Sequence, residues 1–188
     1  MRIVAGKHRG RRLAAPEGAG VRPTSDRARE ALFNVLAHRP LRDDGKPALA
    51  EARVLDVFAG TGAMGLEALS RGAAHATFIE RDRTALSALE KNIAELGEAA
   101  RASVLRTDAL NLPHAKAPVS LAFLDPPYGE GLAEPALAAL AKQGWLEDGA
   151  VVIVELGKRD ELSPPAPFTP LDERRYGAAR FVLLRHGA

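Results

Sequence analysis

From Arg53 onward the chain alternates short apolar runs with segments of helical period. The runs are Val54–Phe58, Ala76–Glu80, Ser103–Arg106, Leu121–Leu124 and Val151–Glu155. A strand with one wet face alternates apolar and polar residues, and most of these runs do not. Strands apolar on both sides belong to a parallel sheet covered on both faces. Parallel neighbours also need crossovers, which the intervening helices supply. Leu86, Leu89, Ile93 and Leu96 mark one helical face that stops at Gly97. Leu132–Lys142 is a second helix, with Pro135 in its first turn. The pattern predicts a doubly wound, Rossmann-like α/β fold. The tail "FTPLDERRYGAARFVLLR" reads as two strands joined through Tyr176–Gly177, an antiparallel hairpin at the end of the sheet.

With 188 residues, 46% of them hydrophobic, the chain can build one domain and a small appendage. No apolar run approaches the ~20 residues that span a bilayer. "MRIVAGKHRGRR" has no apolar stretch behind its charges, so no secretory signal is expected. The chain has no cysteine, which removes disulfides and thiolate chemistry and fits a reducing, cytoplasmic setting. Net charge is +2, but residues 1–42 carry ten Lys/Arg against three Asp/Glu, leaving −5 on the remainder. A basic appendage on a mildly acidic body suggests a polyanionic partner. In that appendage, Ile3–Ala5 and Arg11–Ala14 flank "GKHRG" as an expected hairpin. "PEGAGVRPT" is a loop, and a helix follows, with Ala28, Ala31, Leu32, Val35 and Leu36 on one stripe and Ser25 or Asp26 as cap. Residues 1–42 are thus expected to be a hairpin-and-helix extension, and residues 43–188 the main domain.

"VLDVFAGTGAMGLEAL" runs from the first strand into its helix. Gly60, Gly62 and Gly65 spell G-x-G-x-x-G, and Glu80 stands 18 positions after Gly62, at the end of the second strand. Glycines let a ligand approach the backbone, and the helix start presents free N–H groups. A carboxylate at Glu80 can receive both hydroxyls of a ribose. This fits an adenosine-containing cofactor, either NAD or S-adenosylmethionine. Asp56, just before the loop, favours the second. It would repel a pyrophosphate and attract an ammonium, directly or through the loop's amides. Asp108 ends the third strand, where it could meet an adenine amine or cap a short helix.

"LAFLDPPYGEG" decides between them. Asp125, Pro126, Pro127 and Tyr128 follow the strand Leu121–Leu124. Two prolines cannot continue the ladder and they stiffen the chain. A carboxylate, an unpaired carbonyl and an aromatic ring then face the mouth of the sheet. Tyr128 can stack on a planar base, while Asp125 and the Pro126 carbonyl accept from its exocyclic amine. Orientation against a methyl donor can supply up to about 7–11 kcal/mol of the barrier. No hydride transfer needs this segment, so S-adenosylmethionine is the expected cofactor. An ionised aspartate only accepts, which suits the two adjacent donors of guanine better than the donor–acceptor pair of adenine.

The glycine loop with "DPPY" resembles the class I amino-methyltransferases. "RIVAGKHRGRRL", "RPTSDRAREALFNVL", "VLDVFAGTGAMGLEALSRGA", "FIERD" and "FLDPPYGEG" together resemble the bacterial 16S rRNA guanine-N2 methyltransferase family known as RsmD, over nearly the whole chain. The resemblance implies a seven-stranded, mostly parallel sheet with a β-hairpin arm. It implies methylation of one guanine of 16S rRNA, in the small ribosomal subunit or its assembly intermediate. Asp56, Phe58, Gly60, Gly62, Glu80, Arg81, Asp108 and Ala109 would then hold the cofactor, and Asp125, Pro126 and Tyr128 would be catalytic. Arg22, Thr24 and Asn34 match family positions facing cofactor or RNA. His8 departs from the aromatic expected there.

Arg2, Lys7, Arg9, Arg11, Arg12, Arg22, Arg27 and Arg29 are the expected phosphate contacts, which position RNA without reading its sequence. The target base must leave its stack to reach Asp125, or be unstacked already. The five histidines show no metal-ligand spacing, so no metal is expected. Trp145 and Phe181 are expected in the core, and a monomer is the default. Two other readings compete: a DNA adenine-N6 or protein glutamine-N5 methyltransferase, and a non-catalytic RNA-binding assembly factor.

Overall fold

The computed structural model describes residues 1–15, 25–42, 45–158 and 160–187. After helix α1 (Asp26–His38) the chain alternates β1 (Arg53–Val57), α2 (Ala63–Ser70), β2 (His75–Glu80), α3 (Arg83–Leu96), β3 (Ala102–Arg106), β4 (Val119–Leu124), α4 (Ala133–Lys142) and β5 (Leu146–Leu156). The hairpin β6 (Phe168–Tyr176) and β7 (Ala179–His186) closes it. One seven-stranded sheet results, in the order β3-β2-β1-β4-β5-β7-β6. The first five strands in that row are parallel, and β7 pairs antiparallel with both β5 and β6. This is the doubly wound fold that the apolar runs predict. Chain direction along the sheet reverses between β1 and β4, where such folds open a crevice at their carboxyl ends.

Side-chain parity sorts the core into two layers. Val54, Phe78, Phe123, Ile153 and Phe181 share a cluster with Leu32 and Phe33 of α1, Leu66 of α2 and Leu89 of α3. Leu55, Val57, Leu124, Val152 and Val154 pack instead with Ala136, Leu137 and Leu140 of α4 and with Trp145. Trp145 donates its indole N–H to the Pro113 carbonyl at 2.9 Å. Ser25 caps α1 by accepting from the Ala28 amide, Asp82 caps α3 in the same way from Ala85, and Gly97 ends α3 at φ +69°. Strand β5 starts earlier than the apolar run Val151–Glu155 suggests, because Leu146 pairs with Val119 across an irregularity in the ladder. After Asp108 the expected short helix is a turn, with the Asp108 carboxylate accepting from the Leu110 amide at 2.9 Å.

The N-terminal segment folds back on itself, but through a single bridge, Arg2 to Arg12, rather than two paired strands. It does not project as an arm. Ile3 and Leu13 are buried in the same cluster as α1, α2 and α3. Glu67 of α2, fully buried, accepts from the amides of Val4 and Ala5 at 2.8 and 3.1 Å. Ser70 accepts from His8 N–H and donates to the Ala5 carbonyl. The His8 ring is buried 2.5 Å from Glu98, so it holds this segment down and offers no stacking face. Burial works against the Glu98 charge, but the bonds from His8 and Arg101 outweigh it and hold the carboxyl below its usual range.

Among the described residues no helix is long and apolar enough to cross a membrane. Gly6 is the closest contact in the docking of the arm. Its φ is +79°, and a Cβ there would lie 1.9 Å from the Ser70 carbonyl oxygen. Gly6→Ala should therefore undock residues 1–14 and destabilise the protein by about 2 kcal/mol or more. Hydrogen exchange at Ile3, Gly10 and Leu13 should accelerate while the sheet amides stay protected.

Candidate active site at the carboxyl edge of the sheet

Chain order places four acids at the carboxyl ends of four adjacent strands. Glu80 ends β2, Asp56 is the penultimate residue of β1, Asp125 follows β4, and Glu155 is the penultimate residue of β5. By parity all four project to the face that carries α2, since each lies two residues from Phe78, Val54, Phe123 or Ile153 of that layer. Glu80, Asp56 and Asp125 stand out in the sequence by their places beside the glycine loop and the prolines. Glu155 was missed because "VVIVEL" reads as one more buried apolar run.

The glycine loop is built on close approach. Gly62 sits at φ +81°, where a Cβ would lie 2.4 Å from Leu89 Cδ1. Gly65 has the helical fold of α2, but its Cβ would strike the Phe78 ring at 2.3 Å. Gly60, at φ +54°, borders open space, since the only atom a Cβ would meet there is the Phe58 carbonyl oxygen at 4.0 Å. Phe58 itself holds φ +60°, a strained conformation for an aromatic residue, and so turns the chain out of β1. These roles are distinct: Gly65 seats the helix, Gly62 turns into it, and Gly60 leaves room at the loop.

Backbone amides hold the acids. Glu80 receives the Gly60 amide on Oε2 and the Arg81 and Asp82 amides on Oε1, each at 2.8 Å. Asp56, 2% exposed, accepts from the Gly65 amide at 2.8 Å, in the first turn of α2. Burial pushes Asp56 up to about 7, with the Gly65 bond opposing and the Glu80 charge adding. Asp108 pairs with Arg81 at 2.6 Å. The Leu110 amide has the largest effect on its carboxyl, burial opposes it, and the Arg81 bond and charge help to hold it below the usual range. Ala109 beside it is buried.

Asp125 is tied to the crevice through its own amide, which donates to the Val57 carbonyl at 3.3 Å. Burial, then the Glu155 charge, then that of Asp56, raise its carboxyl well above the usual range. Tyr128 is half exposed, and its hydroxyl donates to Glu155 Oε1 at 3.1 Å. Burial and the Glu155 charge push that hydroxyl up, so it stays protonated. Gly157 lets the Tyr128 ring edge come close, since a Cβ there would be 3.2 Å from Tyr128 Cδ1. Pro126 is buried.

Of the expected phosphate contacts, Arg2, Lys7, Arg9, Arg11, Arg12 and Arg27 are exposed. Arg29 is not: it is fully buried in α1, bonds Asp26 at 2.7 Å and the Arg2 carbonyl, and lies 3.8 Å from Glu67. It braces the arm against the body and cannot reach a phosphate. Arg22, Pro23 and Thr24 lie outside the described residues. Asn34 is exposed and bonds Arg71 at 3.2 Å. Sequence reasoning also missed Asn92 of α3, which is buried and accepts from the Ala14 amide at 2.7 Å. Its amide group donates to the Ala14 and Thr61 carbonyls at 3.1 and 2.9 Å, tying the arm to the glycine loop.

Asp56 gives a signed pH test. The folded state binds its proton more tightly than the unfolded state, so its charge destabilises increasingly as pH rises from about 4 to about 7. Asp56→Asn keeps an acceptor for Gly65 and removes that charge. Its stability relative to the parent protein should improve by about 2–3 kcal/mol between pH 5 and pH 8. Urea titrations at the two pH values read this directly.

The family described as "Conserved hypothetical protein 95" matches residues 1–185. "Ribosomal RNA small subunit methyltransferase D" of Escherichia coli strain K12 is 46% identical over 190 residues, covering 100% of this chain and 91% of that one. The solved structure of yhhF from Escherichia coli superposes with a TM-score of 0.84 at 40% identity, over 100% of this chain and 98% of that one. An RNA methyltransferase from Salinibacter ruber, solved with S-adenosyl-L-homocysteine, shares the fold with a TM-score of 0.64 at 15% identity, over 88% and 94% of the two chains. This chain, with its glycine loop and its Asp125–Tyr128 segment on one edge of a class I methyltransferase sheet, belongs to the RsmD family.

Proposed function

We propose that this protein transfers a methyl group from S-adenosylmethionine to the exocyclic N2 amine of a guanine in 16S rRNA, within the small ribosomal subunit or its assembly intermediate. One observation carries the reading. The amine-accepting segment at Asp125 is hydrogen-bonded to the end of β1, the strand that feeds the glycine loop, so acceptor and donor sites share one crevice. The name of the Escherichia coli relative supports rRNA of the small subunit as substrate. The Salinibacter ruber protein supports the cofactor.

The residues present fit that cofactor. Glu80 is fixed by three amides yet keeps lone-pair capacity for ribose hydroxyls. Gly60, with Phe58 turning the chain, leaves the backbone free of a side chain where the methionine end would lie, and Gly62 turns the chain into α2 behind it. Asp56 sets the loop through Gly65 and adds a negative field for its ammonium. Asp108, with Arg81 and Ala109 beside it, borders the adenine position. When bound, the cofactor supplies an electrophilic methyl group on a sulfonium. Tyr128 carries the base on its ring. Asp125 and the Pro126 carbonyl orient the amine and draw its lone pair toward the methyl. The exposed Arg2, Lys7, Arg9, Arg11, Arg12 and Arg27 hold phosphates.

The test is to incubate the protein with labelled S-adenosylmethionine and small subunits from cells lacking the enzyme, then identify the modified nucleoside. N2-methylguanosine at one site is expected. Methyladenine in DNA, or methylglutamine in protein, would move the assignment to those substrates. Asp125→Ala should lower kcat by about 100-fold or more with cofactor affinity kept. Full cellular function in that variant would favour a non-catalytic assembly factor. RNA affinity should fall with salt at a log–log slope near about −4, as for roughly five neutralised phosphates.

A further inference from the structure

A carboxylate in the middle of a sheet is costly unless something uses it. Glu155 is 3% exposed and stands between Val154 and Leu156. It lies level with Asp125, because Leu124 pairs with Val154 in the β4–β5 ladder. By parity both side chains project to the α2 face, as does that of Asp56. Glu155 also takes the hydrogen bond of the Tyr128 hydroxyl. One buried acid therefore meets both working groups of the Asp125–Tyr128 segment, from a strand that the segment itself does not belong to.

We propose that Glu155 is a positioning residue for methyl transfer: it holds the Tyr128 ring through the hydroxyl and stands against Asp125, so that Asp125 keeps the proton shed by the methylated amine. This rests on the reading of the site as one for amine methylation. In that reaction the amine nitrogen forms a bond to the methyl carbon. The sulfur–carbon bond breaks, and the sulfur keeps the electron pair. The nitrogen then carries one proton too many, which passes to the Asp125 carboxylate. Like charge from Glu155 strengthens the hold of Asp125 on that proton. The groups facing Asp125 are Glu155 from β5, Asp56 from β1 and Tyr128 from its own loop, with Glu80 acting on Asp56 and Asp160 on Tyr128. The hydroxyl bond gives the half-exposed Tyr128 ring a buried anchor. The prolines fix where its backbone goes, and Glu155 fixes where its ring points.

Two variants separate the two roles. Glu155→Gln keeps an acceptor for the Tyr128 hydroxyl and removes the charge. Tyr128→Phe keeps the ring and the charge and removes the bond. In Glu155→Gln, the carbon-13 titration of the Asp125 carboxyl, followed in the protein without RNA or cofactor, should move to lower pH. Asp125 must be ionised to take the proton, so the acid limb of kcat should move the same way. In Tyr128→Phe the limb should stay in place while KM for the RNA rises about tenfold, the loss of one hydrogen bond to a charged group. Cofactor affinity, measured by calorimetry, should match the parent in both, which shows that they fold. An unmoved Asp125 titration in folded Glu155→Gln would overturn the proposal, as would a Tyr128→Phe protein with unchanged KM. Absence of RNA methylation by the parent protein is a separate outcome. It would count against the proposed function, while the Asp125 titration would still decide what Glu155 does to its neighbour.

Discussion

Helix α2 lies so close to the sheet that no methyl group fits between them at Gly65, where a Cβ would come within 2.3 Å of Phe78. Much else follows from that approach. It brings the first-turn amide of α2 onto Asp56 and sets the height of the glycine loop above the strand ends. It also fixes the far end of the same eight-residue helix, where Glu67 and Ser70 receive the N-terminal segment. The glycine loop and the N-terminal segment thus sit at the two ends of one helix. Asn92 ties them a second time from α3.

Two sets of acids divide the labour. Glu67 and Glu98 are met by basic side chains: Arg71 and Arg29 for the first, His8, Lys7 and Arg101 for the second. Arg29, His8 and Lys7 come from distant parts of the chain, while Arg71 and Arg101 lie within four residues of their acids. At the crevice, Asp56 and Glu80 are met instead by backbone amides, fixed dipoles that need no rearrangement when a ligand arrives. Asp125 and Glu155 stand close enough to repel. Among the described residues, Arg81 on Asp108 is the one cation bonded to these crevice acids.

The strands, the crossovers and the Asp125–Tyr128 segment were legible because each rests on local pattern: apolar runs, helical spacing, prolines that stop a ladder. The resemblance supplied the strand number, while the fold-back of the N-terminal segment was legible from its glycines, though not that it packs against the body. What escaped has partners far away in the chain. Arg29 reads as one more exposed base beside Arg27, and only the fold shows that it turns inward to Asp26 and Glu67. Glu155 is hidden inside an apolar run. His8 reads as a weakened stacking residue, yet it is the buried partner of Glu98, 90 positions away. Phe33 falls outside the predicted stripe of α1 because that helix buries a wider face than its aliphatic residues mark.

The separation of those partners has a bearing on how the chain comes into being. Residues 1–14 are synthesised before the residues that hold them, Glu67, Ser70, Asn92 and Glu98. At roughly 5–20 residues per second, the segment waits several seconds before its docking surface exists. Its contacts are non-local, so they cannot seed folding and must form after α2 and α3 have settled on the sheet. The most basic stretch of the chain therefore docks only on elements made after it, once α2 and α3 stand on the sheet.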